Sequence, residues 1–264
     1  MLRKRVIPVL LMRNSQLVRS EAFQTYKVIG DPVHEVIRFS EWAIDELIYL
    51  DISNSNQYDQ TRQDKKIQAI KDRKTLIQEI SKNCFVPLTF GGGLRTVECI
   101  KECILNGADK VSVSTMLHSA PKDIQAASEM FGKQSIVACI DIKRIGANTC
   151  KPFIKSINKI LDITVEDYIH HINKLGVGEI LIQSVDQDGK ASGFDIPLIR
   201  QVTSLTNLPL IALGGAGCAS HFTEVFLQTD INAAAAANIF HFKELINRHI
   251  KRDLQRNCVN IRTA

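Results

Sequence analysis

Two short apolar runs in this chain break into glycines, and the residues that follow them could hold phosphate. The first is Val86-Pro87-Leu88-Thr89-Phe90-Gly91-Gly92-Gly93, and the second is Leu208-Pro209-Leu210-Ile211-Ala212-Leu213-Gly214-Gly215-Ala216-Gly217. Glycine lets backbone N–H groups approach an anion closely, and a helix N-terminus adds a favourable dipole. Each turn is followed, one strand later, by a small or polar pair. Gly92 and Gly93 go with Ser114 and Thr115, and Gly214 and Gly215 with Ala237 and Asn238; Gly193 is counted with the second cup. One such turn alone is as well explained by structure. Two related turns suit a ligand with a phosphate at each end.

Proton transfer needs a titratable group in a dry place. Asp141 ends the apolar run Ile136-Val137-Ala138-Cys139-Ile140, where desolvation can lift a carboxylate into the useful range. The alternative is a carboxylate that merely pairs with Lys143 or Arg144. Asp188, in Asp186-Gln187-Asp188-Gly189, is a second acid or base, or else the residue of an ordinary turn. Asp51 belongs to the same set of strand ends. The seven histidines complete no Ser/His/Asp or Cys/His nucleophile and no metal cluster, so neither metal nor cofactor is expected.

These residues share a site only if the fold gathers them. We count eight strand-then-helix units. The strands are 6–11, 47–51, 87–90, 110–113, 135–140, 179–183, 209–213 and 232–236. Helices are expected after Gly30-Asp31-Pro32 and over 66–81, 96–105, 121–131, 165–175, 196–203, 220–227 and 242–255. Residues 145–161 are irregular and could form a hairpin. Short β-branched strands alternating with helices give a parallel sheet covered on both faces. A second echo, Leu47-Ile48-Tyr49-Leu50-Asp51 against Ile180-Leu181-Ile182-Gln183-Ser184-Val185-Asp186, argues for duplicated halves. The expectation is the α/β class: a (β/α)8 TIM barrel with an internal two-fold half-barrel repeat, as one domain over residues 1–264. Such a barrel needs about 250 residues. An open doubly wound sheet is the runner-up, but no G-x-G-x-x-G follows the first strand.

In a barrel the working residues sit at the C-terminal strand ends. The opposite end has a pattern too. Arg5, Glu46, Lys110 and Glu179 start four strands with alternating sign, and could close a ring of ion pairs. Charged residues also commonly punctuate strand starts, so a plug or gate for a small molecule stands beside that plainer reading.

Composition excludes little else. Net charge is +5, 45% of residues are hydrophobic and 23% charged, the balance of an ordinary globular protein. No apolar run approaches the ~20 residues that span a bilayer. The N-terminus lacks a cleavage site after its short apolar run and reads as a first strand rather than a signal peptide. The basic cluster at Lys65-Lys66 and residues 71–74 reads as a solvated helix face, with no nucleic-acid motif beside it. Seven cysteines without framework spacing suit a reducing cytoplasm.

Together the residues resemble one family, the cyclase subunit of imidazole glycerol phosphate synthase (HisF). The resemblance is carried by Lys4-Arg5-Val6-Ile7-Pro8, Gly30-Asp31-Pro32, Asp45 to Ile52, Phe90 to Leu94, Gly107 to Ser112, Ala138 to Arg144, Gly178 to Leu181, Asp186 to Gly189, Gly214 to Gly217 and Ile239 to Phe242. It implies a barrel that takes ammonia from a separate HisH-like glutaminase at its N-terminal face and joins it to a phosphorylated substrate at its mouth. It makes Arg5, Glu46, Lys110 and Glu179 an ammonia gate, Asp109 a partner contact, Asp141 catalytic, Asp188 a member of the same mouth, and both cups phosphate sites. No nucleic-acid or membrane partner is implied.

The departures lie on the reaction side. Where the family pattern is Leu-Asp-Val-Lys, this chain reads Leu10-Leu11-Met12-Arg13, so Leu11 replaces a catalytic aspartate. Arg19 stands for a lysine of the first loop, Gln183 for a threonine, Leu213 for a small polar residue and Asn238 for a serine. Losing one member of an acid–base pair costs about 10²–10⁴-fold in rate. The resemblance therefore points to the branch that, with an ATP-using partner, converts an acetamido to an acetamidino group on a sugar nucleotide for surface polysaccharide. The alternatives are a histidine-pathway cyclase making imidazole glycerol phosphate and AICAR from PRFAR and ammonia, and a non-catalytic scaffold that activates the glutaminase.

Overall fold

The computed structural model describes residues 3–21, 24–42, 44–53, 55, 57, 58, 70–146, 149–242 and 246–262. The chain enters on β1 (Arg5–Arg13), doubles back through β2 (Gln16–Glu21) and β3 (Thr25–Gly30), and reaches α1 (Pro32–Ser40). Then β4 (Leu47–Asp51) leads to α2 (Arg73–Asn83), β5 (Leu88–Gly91) to α3 (Val97–Leu105), and β6 (Lys110–Val113) to α4 (Met116–Ser119) and α5 (Pro121–Phe131). β7 (Ile136–Arg144) folds against β8 (Cys150–Ile154) and β9 (Lys159–Ile160) before α6 (Val165–Asn173). β10 (Glu179–Ser184), α7 (Ile196–Thr203), β11 (Leu210–Leu213), α8 (Ala219–Gln228), β12 (Ala233–Ala236), α9 (Asn238–Phe242) and α10 (Ile246–Arg256) complete it.

Strands β10, β11, β12, β1, β4, β5, β6 and β7 are parallel neighbours in that order, and β7 pairs back onto β10. The sheet therefore closes on itself with no edge among these eight, the (β/α)8 TIM barrel. The period-two alternation of each strand makes two cores. Outward residues such as Val6, Leu10, Met12, Tyr49, Phe90 and Ile140 pack under the helices. Inward residues such as Ile7, Val9, Ile48, Val137, Leu181 and Ile211 fill the lumen. Helix starts follow local chemistry. The Asp31 side chain accepts from the N–H groups of Val33 and His34, with Pro32 in the first turn. Thr96, Thr164 and Asp195 cap α3, α6 and α7 in the same way.

The first βα connection differs from expectation. β1 runs past its expected end, and β2 and β3 pair antiparallel to extend it over the mouth. Asn14 and Ser15 both take positive φ (49° and 56°), the geometry of a tight hairpin turn that matches strand twist. Residues 145–161 do form antiparallel structure, with β8 on β7 and β9 on β8. Part of the helix expected over 66–81, the Lys65-Lys66 pair and residues 243–245 of the last expected helix lie outside the described residues. Within the basic cluster, Arg73 is buried rather than solvated, and close enough to Asp51 for its charge to favour that carboxylate.

Candidate active site at the barrel mouth

Inward positions at the C-terminal strand ends define the mouth. β7 presents Asp141 directly above Cys139 and Val137, β10 presents Gln183, β1 presents Leu11 and β11 presents Leu213. Two cavities open there. The larger, about 810 Å³, is lined by Asp141, Gly92, Gly93, Ser114, Thr115 and Tyr26, among others. The smaller, about 250 Å³, is lined by Arg19, Asp188, Gly214, Gly215, Ala237 and Asn238, among others. Leu11 and Gln183 line both. The expected mouth residues are thus brought together, with a glycine cup and a carboxylate in each cavity. Gly193 lies behind the second cup, where its N–H donates to the Gly215 carbonyl at 2.9 Å.

The glycines are required at two points. Gly92 has φ +100°, and a Cβ there would lie 1.8 Å from the Asp51 carbonyl. Gly215 has φ +95°, and a Cβ would lie 1.9 Å from the Gly193 carbonyl. No L side chain fits either place. The turns are equivalent in the two halves: Gly92 presses on the end of β4, the strand before its own in the barrel, and Gly214 presses on Ser184 at the end of β10, the strand before β11. The small pairs follow at the next strand ends. Thr115 shares a 2.9 Å hydrogen bond with Ser156, and the Asn238 amide donates to the Ser20 carbonyl at 2.9 Å. The second turn is braced by His221, whose Nδ1 accepts from the Gly217 N–H at 3.1 Å.

Asp141 is 7% exposed. Burial, reinforced by the negative charge of Asp188 and opposed by Lys155, raises its pKa to about 7. It is not neutralised by its chain neighbours. Lys143 sits over the Phe153 ring, 5.3 Å from its centre, and Arg144 pairs with Asp195 at 2.8 Å. A carboxyl poised near neutrality can take or give a proton at working pH. Asp188 is buried and accepts from the Ser20 hydroxyl at 2.9 Å. Arg19 pairs with Glu21 on the same strand. Asp51 faces away from the lumen, held by the Ser53 N–H at 2.9 Å and the Tyr58 hydroxyl at 2.7 Å, and its pKa is raised by burial. Those bonds, and the Gly92 turn seated on its backbone, fix it at the wall of the larger cavity, which it also lines.

The lumen below is apolar, narrowed by Ile7, Val9, Ile48, Leu181 and Ile211 and relieved on one side by Ala233 and Ala235. At its foot the four charged residues form a closed ring. The Arg5 guanidinium donates to Glu46 at 2.7 Å and to Glu179. Lys110 Nζ lies 3.3 Å from Glu46 and 3.1 Å from Glu179. All four side chains are mostly buried. Asp109 is exposed beside this ring, accepting from the Leu88 N–H at 2.8 Å.

Sequence reading misses Ser20, Tyr26, Lys155 and His221 at the mouth. His221 stands four residues after Gly217, which is a usable signal; the others depend on where the antiparallel extensions fold. Among the described residues no group of His, Cys, Asp and Glu could hold a metal, all seven cysteines are free thiols, and no helix is long and apolar enough to cross a membrane.

Comparison with known proteins agrees with this geometry. A family model described as "Histidine biosynthesis protein" matches residues 5–246. A protein of Thermotoga sp. (strain RQ2) named imidazole glycerol phosphate synthase subunit HisF is 38% identical over 265 residues, covering 99% of this chain and 98% of its own. The protein of the same name from Metallosphaera sedula is 36% identical over 263 residues (98% and 99%). That of Staphylococcus epidermidis (strain ATCC 12228 / FDA PCI 1200) is 36% identical over 265 residues (99% and 100%).

Proposed function

The chain belongs to the histidine biosynthesis protein family, in its imidazole glycerol phosphate synthase HisF branch, and from that premise we propose that it takes ammonia at the foot of its barrel and joins it to a phosphorylated substrate at the mouth. The observation that carries this reading is the axial arrangement: a charged ring at the inlet, an apolar lumen, and Asp141 held near neutrality at the outlet. Neutral ammonia crosses an apolar lumen at far lower cost than ammonium, whose charge would be stripped of water. The partner that supplies it is a HisH-like glutaminase on the N-terminal face, where Asp109 is exposed. Asp141 manages protons at the reacting centre, Asp188 serves the second cavity, and the two glycine cups receive phosphates. Ring opening at Arg5, Glu46, Lys110 and Glu179 gates the inlet.

The names of the relatives support cyclisation of the bisphosphate PRFAR as the reaction. Leu11 favours a second reading. With an apolar side chain where the family pattern has an acid, the mouth suits addition of ammonia to a sugar nucleotide activated by an ATP-using partner, converting acetamido to acetamidino.

The two separate in one experiment. The purified chain is mixed with a HisH-type glutaminase and amide-labelled ¹⁵N-glutamine, and offered either PRFAR or an acetamido sugar nucleotide with ATP and the activating enzyme. Label in imidazole glycerol phosphate establishes the first reading, and label in an amidine the second. Label in neither, with glutaminase activity still stimulated, would leave a scaffold and sink both.

A further inference from the structure

The two glycine cups are equivalent as turns but not as electrostatic sites. Among the described residues the smaller cavity is lined by one cation, Arg19, and two carboxylates, Glu21 and Asp188. That cation is already paired with Glu21. The larger cavity is lined by three cations, Arg13, Arg95 and Lys155, and by two carboxylates, Asp51 and Asp141. Asp51 is buried, with one oxygen held by the Ser53 N–H and the other by the Tyr58 hydroxyl. Asp141 lies near Lys155. Among the described residues neither Arg13 nor Arg95 is ion-paired with a carboxylate. A ligand with one phosphate at each end would ask the same of both cups. These cups offer different things, and the surplus of positive charge is all at the first.

The cations follow the rim. Strands β1, β4, β5, β6 and β7 are successive neighbours in the barrel, and all three cations belong to this half. Arg13 ends β1, with its guanidinium 5.6 Å from the centre of the Tyr26 ring. Arg95 stands two residues after Gly93, on the chain that leaves β5 for α3. Lys155 follows β8, which pairs with β7. Its neighbour Ser156 shares the 2.9 Å hydrogen bond with Thr115 of the first cup. That bond holds the end of β8 at the cup, so the cup is flanked by Arg95 from β5 and by Lys155 from the hairpin on β7.

We propose that the larger cavity is a diphosphate site, and that it takes a diphosphate ester such as a nucleoside diphosphate. The inference rests on the reading of the mouth as a phosphate-binding site for the substrate that is aminated, and it gives the second substrate class above a place to bind. One phosphoryl group sits at the Gly92–Gly93 turn. The adjoining group is met by Arg95, whose planar fork grips two phosphate oxygens, and by Lys155 as a point charge. The organic part extends toward Tyr26, Leu50 and Ile52, which line the same cavity beside Arg13. Size agrees with charge. The larger cavity, about 810 Å³, falls within the ~300–1,000 Å³ of sites for ligands of this kind, and the smaller, about 250 Å³, falls below it.

Calorimetry on the full chain tests this with four probes: inorganic phosphate, inorganic diphosphate, uridine monophosphate and uridine diphosphate. Each diphosphate is expected to bind about tenfold or more tighter than its monophosphate counterpart. Arg95→Gln and Lys155→Gln are each expected to weaken the diphosphates about tenfold and the monophosphates less than about threefold. Lys159→Gln is the control. It removes an exposed cation from the same hairpin outside the cavity, and should change neither. Gly92→Ala should abolish the diphosphate preference, and Gly215→Ala should spare it. Equal affinity for mono- and diphosphates overturns the proposal. So does a loss in Lys159→Gln as large as in Lys155→Gln, which would mean general surface charge, or a preference lost in Gly215→Ala and kept in Gly92→Ala. If phosphate binds and the second phosphoryl group adds nothing, this inference falls while the phosphate-binding mouth stands. If none of the four probes binds, both fall together.

Discussion

Leu11 on β1 and Gln183 on β10 line both cavities of the mouth, so the partition between the two carboxylates is made by one apolar and one amide side chain. Leu11 is packed into the lumen cluster that contains Val9 and Leu213. An acid at this position would touch both cavities at once, within the same mouth as Asp141 and Asp188. Leu11→Asp is therefore expected to raise PRFAR cyclisation above that of the unmodified chain, read by imidazole glycerol phosphate formation with ammonia. It should also cost about 2 kcal/mol or more in stability, because a carboxyl replaces a packed leucine in an apolar setting. Thermal unfolding measures that cost. No gain in cyclisation would show that Leu11 is not what separates the chain from that reaction.

Asp141 carries a prediction whose sign can be worked out. Its folded pKa of about 7 lies above the ordinary value of 3.8. The folded protein therefore holds this proton more tightly than the unfolded chain. The contribution is complete below the unfolded pKa and is lost as pH rises from about 4 to about 7, by up to about 4 kcal/mol. Asp141→Asn removes this pH dependence. It is expected to be more stable than the unmodified chain above pH 7, measured by denaturant unfolding at pH 5 and pH 8. Its turnover should fall about 10²–10⁴-fold, and the activity limb near pH 7 should vanish. A variant less stable than its parent at pH 8 would contradict the desolvated carboxylate.

Much of the barrel and its mouth is legible in the amino-acid sequence alone. The strands announce themselves by alternation, and Asp141 is readable because five apolar residues lead up to it in a strand. The four residues of the charged ring are readable as strand starts, but their ring is not, since it depends on β10 pairing with β7 to close the barrel. Ser20 and Tyr26 go unread because they sit on β2 and β3, in the stretch between the first expected strand and its helix, where no strand is expected. The Asn14-Ser15 turn folds β2 back onto β1, and only folding carries Ser20 to Asp188. Asp51 misleads for the opposite reason. It ends a strand as Asp141 does, but one position out of phase with the inward face, so it meets Tyr58 rather than the lumen. A one-residue difference in strand phase decides which of the two carboxylates points into the barrel.

The second cup can be tested at one atom. Gly215→Ala places a methyl group 1.9 Å from the Gly193 carbonyl at a backbone φ of +95°. The turn must move, and its N–H groups with it. Affinity for inorganic phosphate at this cup, followed by calorimetry, is expected to drop about tenfold or more, equivalent to about 1.4 kcal/mol. Gly92→Ala should do the same to the first cup, through the Asp51 carbonyl at 1.8 Å. A bisphosphate ligand would then weaken with either change. Unaltered binding in both variants would mean that the cups do not hold phosphate.

The inlet ring separates structure from transport by the choice of residue. Arg5 bridges both glutamates, so Arg5→Met leaves Glu46 and Glu179 sharing Lys110 alone, and about 3 kcal/mol of stability should be lost with the buried pairing. Lys110→Met is milder. Arg5 still joins the two glutamates, and the lysine is the most exposed of the four, at 21% of its side chain. The fold should survive while one side of the ring opens. Ammonia would then reach solvent before it reaches the lumen. With a HisH-type glutaminase, Lys110→Met is expected to release more glutamate than aminated product, whereas turnover on added ammonia stays near that of the unmodified chain. The ratio of glutamate to product, measured in one reaction mixture, reports this directly. A ratio of one in Lys110→Met would show that the ring holds the strands together without governing what passes between them.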